Sequence, residues 1–97
     1  MIDWRDSGAS SHLEVRYCLP CGYVPMAGWI ATEFWSEFKS DLAITLVPVK
    51  DGRLEIVFDG ETIFDKKGEG NLYPGLDKIR ELKAAVREKI QSVTSLN

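Results

Sequence analysis

The sequence has too few metal-binding side chains to build a common zinc site by itself. It contains two cysteines and one histidine, His12, among 97 residues. Structural zinc sites use four ligands, commonly two cysteine pairs or one pair with two histidines. No acidic residue is spaced to complete such a set, so we predict no metal and no other cofactor. A zinc site shared between two subunits stays open as an alternative.

A basic excess and a long apolar run are also missing. The net charge is −3, whereas phosphate binding needs a basic surface. Lys66 and Lys67 form only a pair, which we interpret as the solvated end of a strand. No apolar run approaches the roughly 20 residues of a membrane span. We therefore predict neither nucleic acid nor a membrane as a partner.

The first residues lack the basic start and apolar middle of a secretion signal. Two cysteines without an export signal indicate a reducing compartment, and we predict the cytoplasm. There, a CxxC pair is more often catalytic or metal-binding than a structural staple.

The pattern along the chain predicts one domain, residues 13–97, behind a flexible N-terminal tail, residues 1–12. The predicted elements, in chain order, are strand 13–17, helix 24–39, strand 42–47, strand 53–58, strand 61–64, and a helix after Pro74-Gly75. The first two strands should be parallel, joined by a right-handed crossover. The expected fold is α/β (α+β), a four-stranded mixed sheet with two helices in the order β-α-β-β-β-α.

Two features bear on the strand order. The nearly continuous apolar run of 42–47 is typical of a strand covered on both faces. Asp51-Gly52 by itself predicts that the second and third strands pair directly, whereas Pro48 favours an arch between them, with the first strand in the middle. Asp59-Gly60 predicts a tight hairpin between the third and fourth strands.

Each predicted helix has an apolar stripe. The stripe residues are Met26, Ala27, Ile30, Phe34 and Phe38 in the first helix, and Leu76, Ile79, Leu82, Val86 and Ile90 in the last. Trp29 and Trp35 flank the first stripe, so at least one of them should be partly exposed. Pro25 is tolerated only in the first turn, so the first helix should begin close to Cys21.

Cys18 and Cys21, the only cysteines, form a Cys-Leu-Pro-Cys motif between the first strand and that helix. A strand-to-helix CxxC fits a dithiol redox site, because a helix N-terminus stabilises a thiolate. Buried cysteines acting as small hydrophobes, and the shared zinc site, are the alternatives. We favour the redox interpretation and assign both cysteines as the catalytic pair.

The cysteine motif and two later segments of the sequence together resemble a known protein family. Residues 15–23 (VRYCLPCGY), residues 52–56 (GRLEI) with Asp59-Gly60, and residues 65–70 (DKKGEG) followed by Pro74 together resemble the selenoprotein W-like family, part of the Rdx group with selenoproteins T and H. The resemblance runs from about Leu13 to Val86. It implies a thioredoxin-like fold and a thiol-disulfide redox role, with glutathione or a thioredoxin-type protein as electron partner.

Many family members carry selenocysteine at the position of Cys21. The resemblance therefore implies that Cys21 attacks first and Cys18 resolves, opposite to thioredoxin-type sites.

Tyr17, Tyr23 and Pro48 are candidate walls of a docking groove. The alternative function is a binding adaptor of the same fold without turnover, suggested by the tryptophans Trp4, Trp29 and Trp35. The oligomeric state stays open.

Overall fold

The computed structural model describes residues 2–95, with side chains described through Gln91. Met1, which belongs to the predicted tail, and Leu96 and Asn97, which belong to the predicted domain, lie outside the described residues. The elements are β1 (Ser11–Cys18), α1 (Val24–Phe38), β2 (Leu42–Val49), β3 (Leu54–Phe58), β4 (Glu61–Asp65) and α2 (Leu76–Ser95), with short 3₁₀ helices at Trp4–Ser7 and Lys39–Asp41. The predicted β-α-β-β-β-α order is confirmed.

The four strands form one mixed sheet in the order β2-β1-β3-β4. β1 is parallel to β2 and antiparallel to β3, which in turn is antiparallel to β4. The direct pairing that Asp51-Gly52 suggested is therefore wrong. Asp51 and Gly52 do make a local turn, with φ of 66° and 70°, but β1 lies between the strands that the turn joins. The arch favoured by Pro48 is confirmed.

The hairpin between β3 and β4 forms where Asp59-Gly60 predicts it. Both residues have positive φ, 45° and 87°, as a type I′ turn requires. Glycine adopts such a φ without the steric cost that a Cβ would add. This local turn sets the antiparallel register of β3 and β4.

The two helices cover one face of the sheet, and the core lies between them and that face. Alternation along β1 directs Leu13 and Val15 into the core, and both are fully buried. Phe34 of α1 is also fully buried and stacks on Phe38, with ring centres 6.2 Å apart. The buried core residues are Leu13, Val15, Ala27, Ile30, Phe34, Phe38, Leu42, Leu54, Ile56, Phe58, Phe64, Ile79, Leu82 and Val86.

The two helices differ from the prediction in two details, the end of α1 and the position of Leu76 in α2. α1 ends at Phe38, one residue earlier than predicted, because Lys39 takes a positive φ of 48° as the C-cap. Leu76 begins α2 on its exposed side, 47% accessible, instead of joining the buried stripe. Trp35 is 54% exposed, which confirms that one flanking tryptophan reaches the surface.

The prediction that β2 is covered on both faces is wrong. β2 is an edge strand, with β1 as its single neighbour in the sheet. Thr45, Leu46 and Pro48 are exposed. Thr45 and Leu46 point to opposite faces of the sheet, so neither face of β2 is fully covered.

The face of the sheet opposite the helices carries a line of charges. Arg16 Nε donates to Glu14 Oε2 at 2.6 Å, and Arg53 Nε donates to Glu55 Oε2 at 2.9 Å. Arg16 also reaches Glu55 at 3.6 Å and so links the two pairs across β1 and β3. Opposite charges on neighbouring strands stabilise the sheet modestly on this face.

The N-terminal segment rests on the same open face. Trp4, in the first 3₁₀ helix, stacks on the His12 ring with centroids 5.1 Å apart. Asp3 and Asp6 form a reciprocal capping box at the start of this short helix. β1 begins at Ser11, two residues before the predicted domain boundary. The flexibility of residues 1–12 in solution stays a prediction.

Candidate functional site

The cysteine loop leaves the sheet at the end of β1. Cys18 is the last residue of the strand and lies opposite Val49 of β2. Leu19 N–H donates to the Val49 carbonyl at 3.0 Å, and Gly22 N–H donates to the Leu19 carbonyl at 3.1 Å. These bonds turn the chain back sharply, so that Cys18 and Cys21 come within 5.3 Å between Cα atoms and form a disulfide.

The two sulfur-bearing residues differ in their access to solvent. Cys18, the last residue of β1, is only 1% exposed. Cys21 is exposed on the turn. Gly22, with a φ of 78°, has open space where a Cβ would lie. An incoming molecule can therefore approach Cys21 directly, while Cys18 lies behind it.

Helix α1 begins immediately after the loop. Its first residue is Val24, and Pro25 occupies the first turn. Tyr23 is the N-cap and its backbone N–H bonds to the Cys18 carbonyl at 3.4 Å. The expected start close to Cys21 is confirmed, and it places the positive end of the helix dipole beside the loop.

Two tyrosines and a lysine form a cluster beside the loop, which we call the Lys66 cluster (Tyr23, Lys66, Tyr73). The Tyr23 and Tyr73 hydroxyls are 3.0 Å apart and the rings meet edge to face. Lys66 Nζ lies 5.8 Å from the centre of the Tyr23 ring and 5.2 Å from that of Tyr73. The hydrogen bond with Tyr23 raises the pKa of Tyr73, while the Lys66 charge opposes the rise.

The interpretation of the lysine pair as a solvated strand end is wrong for one of its members. Lys66 is only 8% exposed, whereas Lys67 is exposed. Lys66 follows β4, and its backbone N–H bonds to the Leu54 carbonyl at 2.9 Å. Sequence reasoning missed the cluster because Tyr73 is 50 residues away from Tyr23. The one signal in the sequence that could have indicated the cluster was the segment at residues 65–70, which resembles the selenoprotein W-like family.

Of the predicted groove walls, Tyr17 and Pro48 lie directly opposite each other on β1 and β2, one residue before the Cys18–Val49 pair. Tyr23 belongs to the Lys66 cluster. Apolar side chains are also exposed around the loop: Leu19 is 53% and Val24 46% accessible. The disulfide is therefore set in a partly apolar surface.

His12 lies far from the cysteine pair. Cys18 lies six positions further along extended β1, about 20 Å at the rise of a strand. Its Nε2 is 2.7 Å from Thr45 Oγ1, and its ring stacks on Trp4. Among the residues with described side chains, no three histidine, cysteine or acidic side chains come together in a way that could hold a metal ion.

Comparison with known proteins adds to this geometry. The model of the Rdx family matches residues 12–88. This chain belongs to the Rdx family. The matched region contains the cysteine loop and the whole Lys66 cluster, so both lie within the family domain.

Two crystal structures resemble this Rdx protein over most of their length. One is a protein from Bordetella parapertussis, with 30% identity and a TM-score of 0.70, covering 81% of this chain and 96% of its own. The other is a selenoprotein W-related protein from Vibrio cholerae, with 30% identity and a TM-score of 0.71, covering 82% and 96%. No curated protein matches the chain significantly. The thioredoxin-like fold expected from the resemblance is confirmed.

In the part of this Rdx chain that the structure describes, neither helix is long and apolar enough to cross a bilayer.

Proposed function

We propose that this Rdx protein is a small thiol-disulfide oxidoreductase that uses Cys18 and Cys21 as its redox pair. The observation that carries the proposal is the contrast between an exposed Cys21 and a Cys18 that is 1% accessible, joined in one disulfide at a helix N-terminus. Membership of the Rdx family and a CxxC pair are consistent with thiol redox chemistry.

The reaction begins from the reduced dithiol. The Cys21 thiolate attacks a substrate disulfide, forms a mixed disulfide and releases the first substrate thiolate. Cys18 then loses its proton and attacks Cys21 Sγ, which releases the second substrate thiolate and leaves the Cys18–Cys21 disulfide. Two electrons pass from the protein to the substrate, and the released thiolates take up two protons.

Exposure supports Cys21 as the attacking residue. Attack on a disulfide requires the sulfur to approach along the S–S axis, which a nearly inaccessible Cys18 cannot do from solvent. The α1 N-terminus begins three residues after Cys21 and favours its thiolate over the thiol. Cys18 is close enough for the second, intramolecular step, since the two residues already pair.

The substrate class is a protein or glutathione disulfide, and the oxidised pair must then be reduced by glutathione or a thioredoxin-type dithiol. A cycle of this kind needs a reducing compartment, so we propose the cytoplasm as the place of action. The net charge of −3 argues against nucleic acid as a partner, because phosphate binding needs a basic surface.

Single cysteine variants test the assignment. We expect Cys18→Ser to hold a substrate as a stable mixed disulfide through Cys21, detectable by intact mass, and Cys21→Ser to trap almost none. The Cys18→Ser/Cys21→Ser double variant is the control for non-covalent carry-over. Trapping through Cys18 alone would reverse the roles, and failure of the reduced pair to reoxidise with a disulfide substrate would remove the proposal.

The adaptor alternative keeps one observation in its favour, the 54% exposed Trp35, which lies in α1 away from the cysteine loop. An adaptor would capture its partner equally well without cysteines. Equal recovery of one partner by the wild type and by the double variant would favour the adaptor over the enzyme.

A further inference from the structure

The Lys66 cluster combines a buried positive charge with the lack of an acidic partner. Lys66 is 8% exposed, and a lysine is rarely buried to this degree unless it is paired with a carboxylate. Among the residues with described side chains, its ammonium contacts the rings of Tyr23 and Tyr73 and forms no ion pair. The rings shelter the charge, but they do not provide a carboxylate oxygen that would accept its N–H donors.

The acidic side chains nearest to Lys66 in the chain are engaged with other groups. Asp65 Oδ1 accepts from the Lys67 backbone N–H at 3.1 Å. Glu69 forms an ion pair with Lys78 of α2 at 3.1 Å. The carboxylates of this segment therefore leave the Lys66 ammonium without a partner of opposite charge.

The donors of the cluster are open to an incoming group. The Tyr23 and Tyr73 hydroxyls are 3.0 Å apart, so one O–H donates to the other oxygen and the second O–H stays free to donate. Tyr73 is 52% exposed. Every fully buried side-chain nitrogen with described coordinates has a hydrogen-bond partner, and the Lys66 ammonium has none, so it reaches solvent. An ammonium and a hydroxyl side by side without an acceptor are complementary to a carboxylate.

Lys66 lies at the same end of the sheet as the cysteine loop. Its backbone N–H donates to the Leu54 carbonyl at 2.9 Å, and Leu54 lies opposite Tyr17 of β1. Neighbouring strands are about 4.8 Å apart, so the backbones of Lys66 and Tyr17 are about 10 Å apart across β3. Cys18 directly follows Tyr17. The cluster and the disulfide are therefore neighbours.

Tyr23 joins the cluster to the cysteine loop along the chain. It lies two positions after Cys21, so at most about 7 Å separates their Cα atoms. Its backbone N–H bonds to the Cys18 carbonyl at 3.4 Å, which holds it beside the disulfide. Two extended residues of a bound peptide also span about 7 Å. A peptide whose cysteine is attacked by Cys21 can therefore reach the cluster with a side chain about two residues away.

We propose that the Lys66 cluster is a subsite for a carboxylate of the substrate. The preferred substrate is then a peptide disulfide that carries an acidic side chain within about two residues of its cysteine. The Lys66 ammonium and the free tyrosine hydroxyl donate to this carboxylate while Cys21 attacks the disulfide. The subsite rests on the proposed redox function, because it selects the disulfide that Cys21 meets, and it leaves the bonds formed and broken in each step unchanged.

Peptide disulfides that differ only in charge test the subsite. The probes are the symmetric disulfides of acetylated and amidated Glu-Gly-Cys-Gly-Glu and of its Gln counterpart, each reacted with the reduced protein. Chromatography of the released peptide thiol gives the rate constants. The wild type should react at least about tenfold faster with the Glu peptide, which corresponds to one charge-assisted hydrogen bond. Lys66→Met should bring the ratio of the two rate constants close to one.

Lys67→Met is the matched control, because Lys67 carries the same charge one position away and is exposed. Salt screens exposed charges, so this variant should keep the wild-type ratio. Tyr73→Phe keeps the ring and removes one hydroxyl, and it should lower the ratio by about threefold. Circular dichroism verifies the folding of each variant. With a Lys-Gly-Cys-Gly-Lys disulfide, Lys66→Met should react faster than the wild type, which a loss of structure would not produce.

A measurable reaction with a wild-type ratio near one would overturn the subsite. The same holds for a Lys66→Met variant that slows the Glu and Gln peptides equally, since this result would indicate a general effect on structure or on the cysteines.

Peptides with an S-methylated cysteine test binding separately, because they cannot exchange disulfides. In NMR titrations of the oxidised protein, the Glu form should move the amide signals of Tyr23 and Tyr73 and bind at least about tenfold more tightly than the Gln form. Lys66→Met should remove the difference. Equal binding of both forms would overturn the subsite even in an active enzyme. Glu-selective binding by a protein that reduces no disulfide would overturn the redox proposal and leave the carboxylate site in place.

Discussion

Lys66 is the residue whose environment departs most from its surface-like sequence context, and its removal has a calculable cost. Its ammonium lies within 6 Å of two tyrosine ring centres and its side chain is 8% exposed. A cation–π contact contributes about 0.5–1 kcal/mol at exposed sites and about 2 kcal/mol when desolvated. The buried aliphatic stem adds packing of its own. For Lys66→Ala we therefore expect a loss of about 1–3 kcal/mol in the free energy of unfolding.

Urea denaturation at pH 7 measures this loss, and thermal melting should show it as a fall of about 4–8 °C per kcal/mol for a domain of this size. Lys67→Ala is the matched control, because Lys67 is the same residue type, adjacent in the chain and exposed. Exposed substitutions stay within about 0.5 kcal/mol of the wild type.

Lys66→Met separates charge from packing. It keeps an apolar stem of similar length and removes the ammonium, so it should recover part of the loss and remain about 0.5–2 kcal/mol less stable than the wild type. If Lys66→Met matched the wild type, the cation–π contribution would be refuted. If Lys67→Ala cost as much as Lys66→Ala, the structural contrast between the two lysines would be refuted as well.

Two further predictions concern glycine and pH. Gly28→Ala, inside α1 with open space at the Cβ, should raise the free energy of unfolding by about 0.5–1 kcal/mol, whereas Gly60→Ala, at a φ of 87°, should lower it by about 1 kcal/mol. Equal signs in urea denaturation would contradict this. The hydrogen bond from Arg53 lowers the pKa of Glu55, so its stabilisation is fully present above the ordinary pKa of 4.5 and is lost as the pH falls through the lowered pKa of the folded protein. Glu55→Gln should be about 0.5–1 kcal/mol less stable than the wild type at pH 7, and the difference should shrink steadily as the pH falls below 4.5. A difference that does not change with pH would point to packing.

The local signals in the sequence predicted much of the fold. Pro25 indicated where α1 begins, and Asp59-Gly60 indicated where the hairpin turns. Both signals are local, because they arise from the φ preferences of the residues themselves. The cysteine loop followed from these boundaries. The predictions that were wrong depend on distant parts of the chain. The apolar content of β2 is compatible with an edge or a central position in the sheet, and the pairing of β1 decides between the two positions.

The candidate site shows the same division. The Cys18–Cys21 spacing made their pairing predictable, while the unequal exposure of the two residues required the fold. The burial of Lys66 arises from Tyr23 and Tyr73, which lie 43 residues before it and 7 after it. From the local sequence alone, a pair of lysines in a glycine-containing segment is expected to be exposed. The local sequence cannot show aromatic partners that come from distant parts of the chain.

The central position of β1 has a consequence for the order in which the protein acquires its structure. Among the four strands of the sheet, β1 comes first in the chain, yet Leu13 waits for Phe58, 45 residues later, to complete its antiparallel side. Its parallel side needs β2, 31 residues after Leu13 at Ile44. At about 5–20 residues per second of synthesis, β1 stays incompletely paired for seconds. The β3–β4 hairpin, by contrast, needs only contiguous residues and forms within about 1–10 µs once available. β1, which ends at Cys18, is therefore the strand that waits longest between its own synthesis and its pairing with both neighbours.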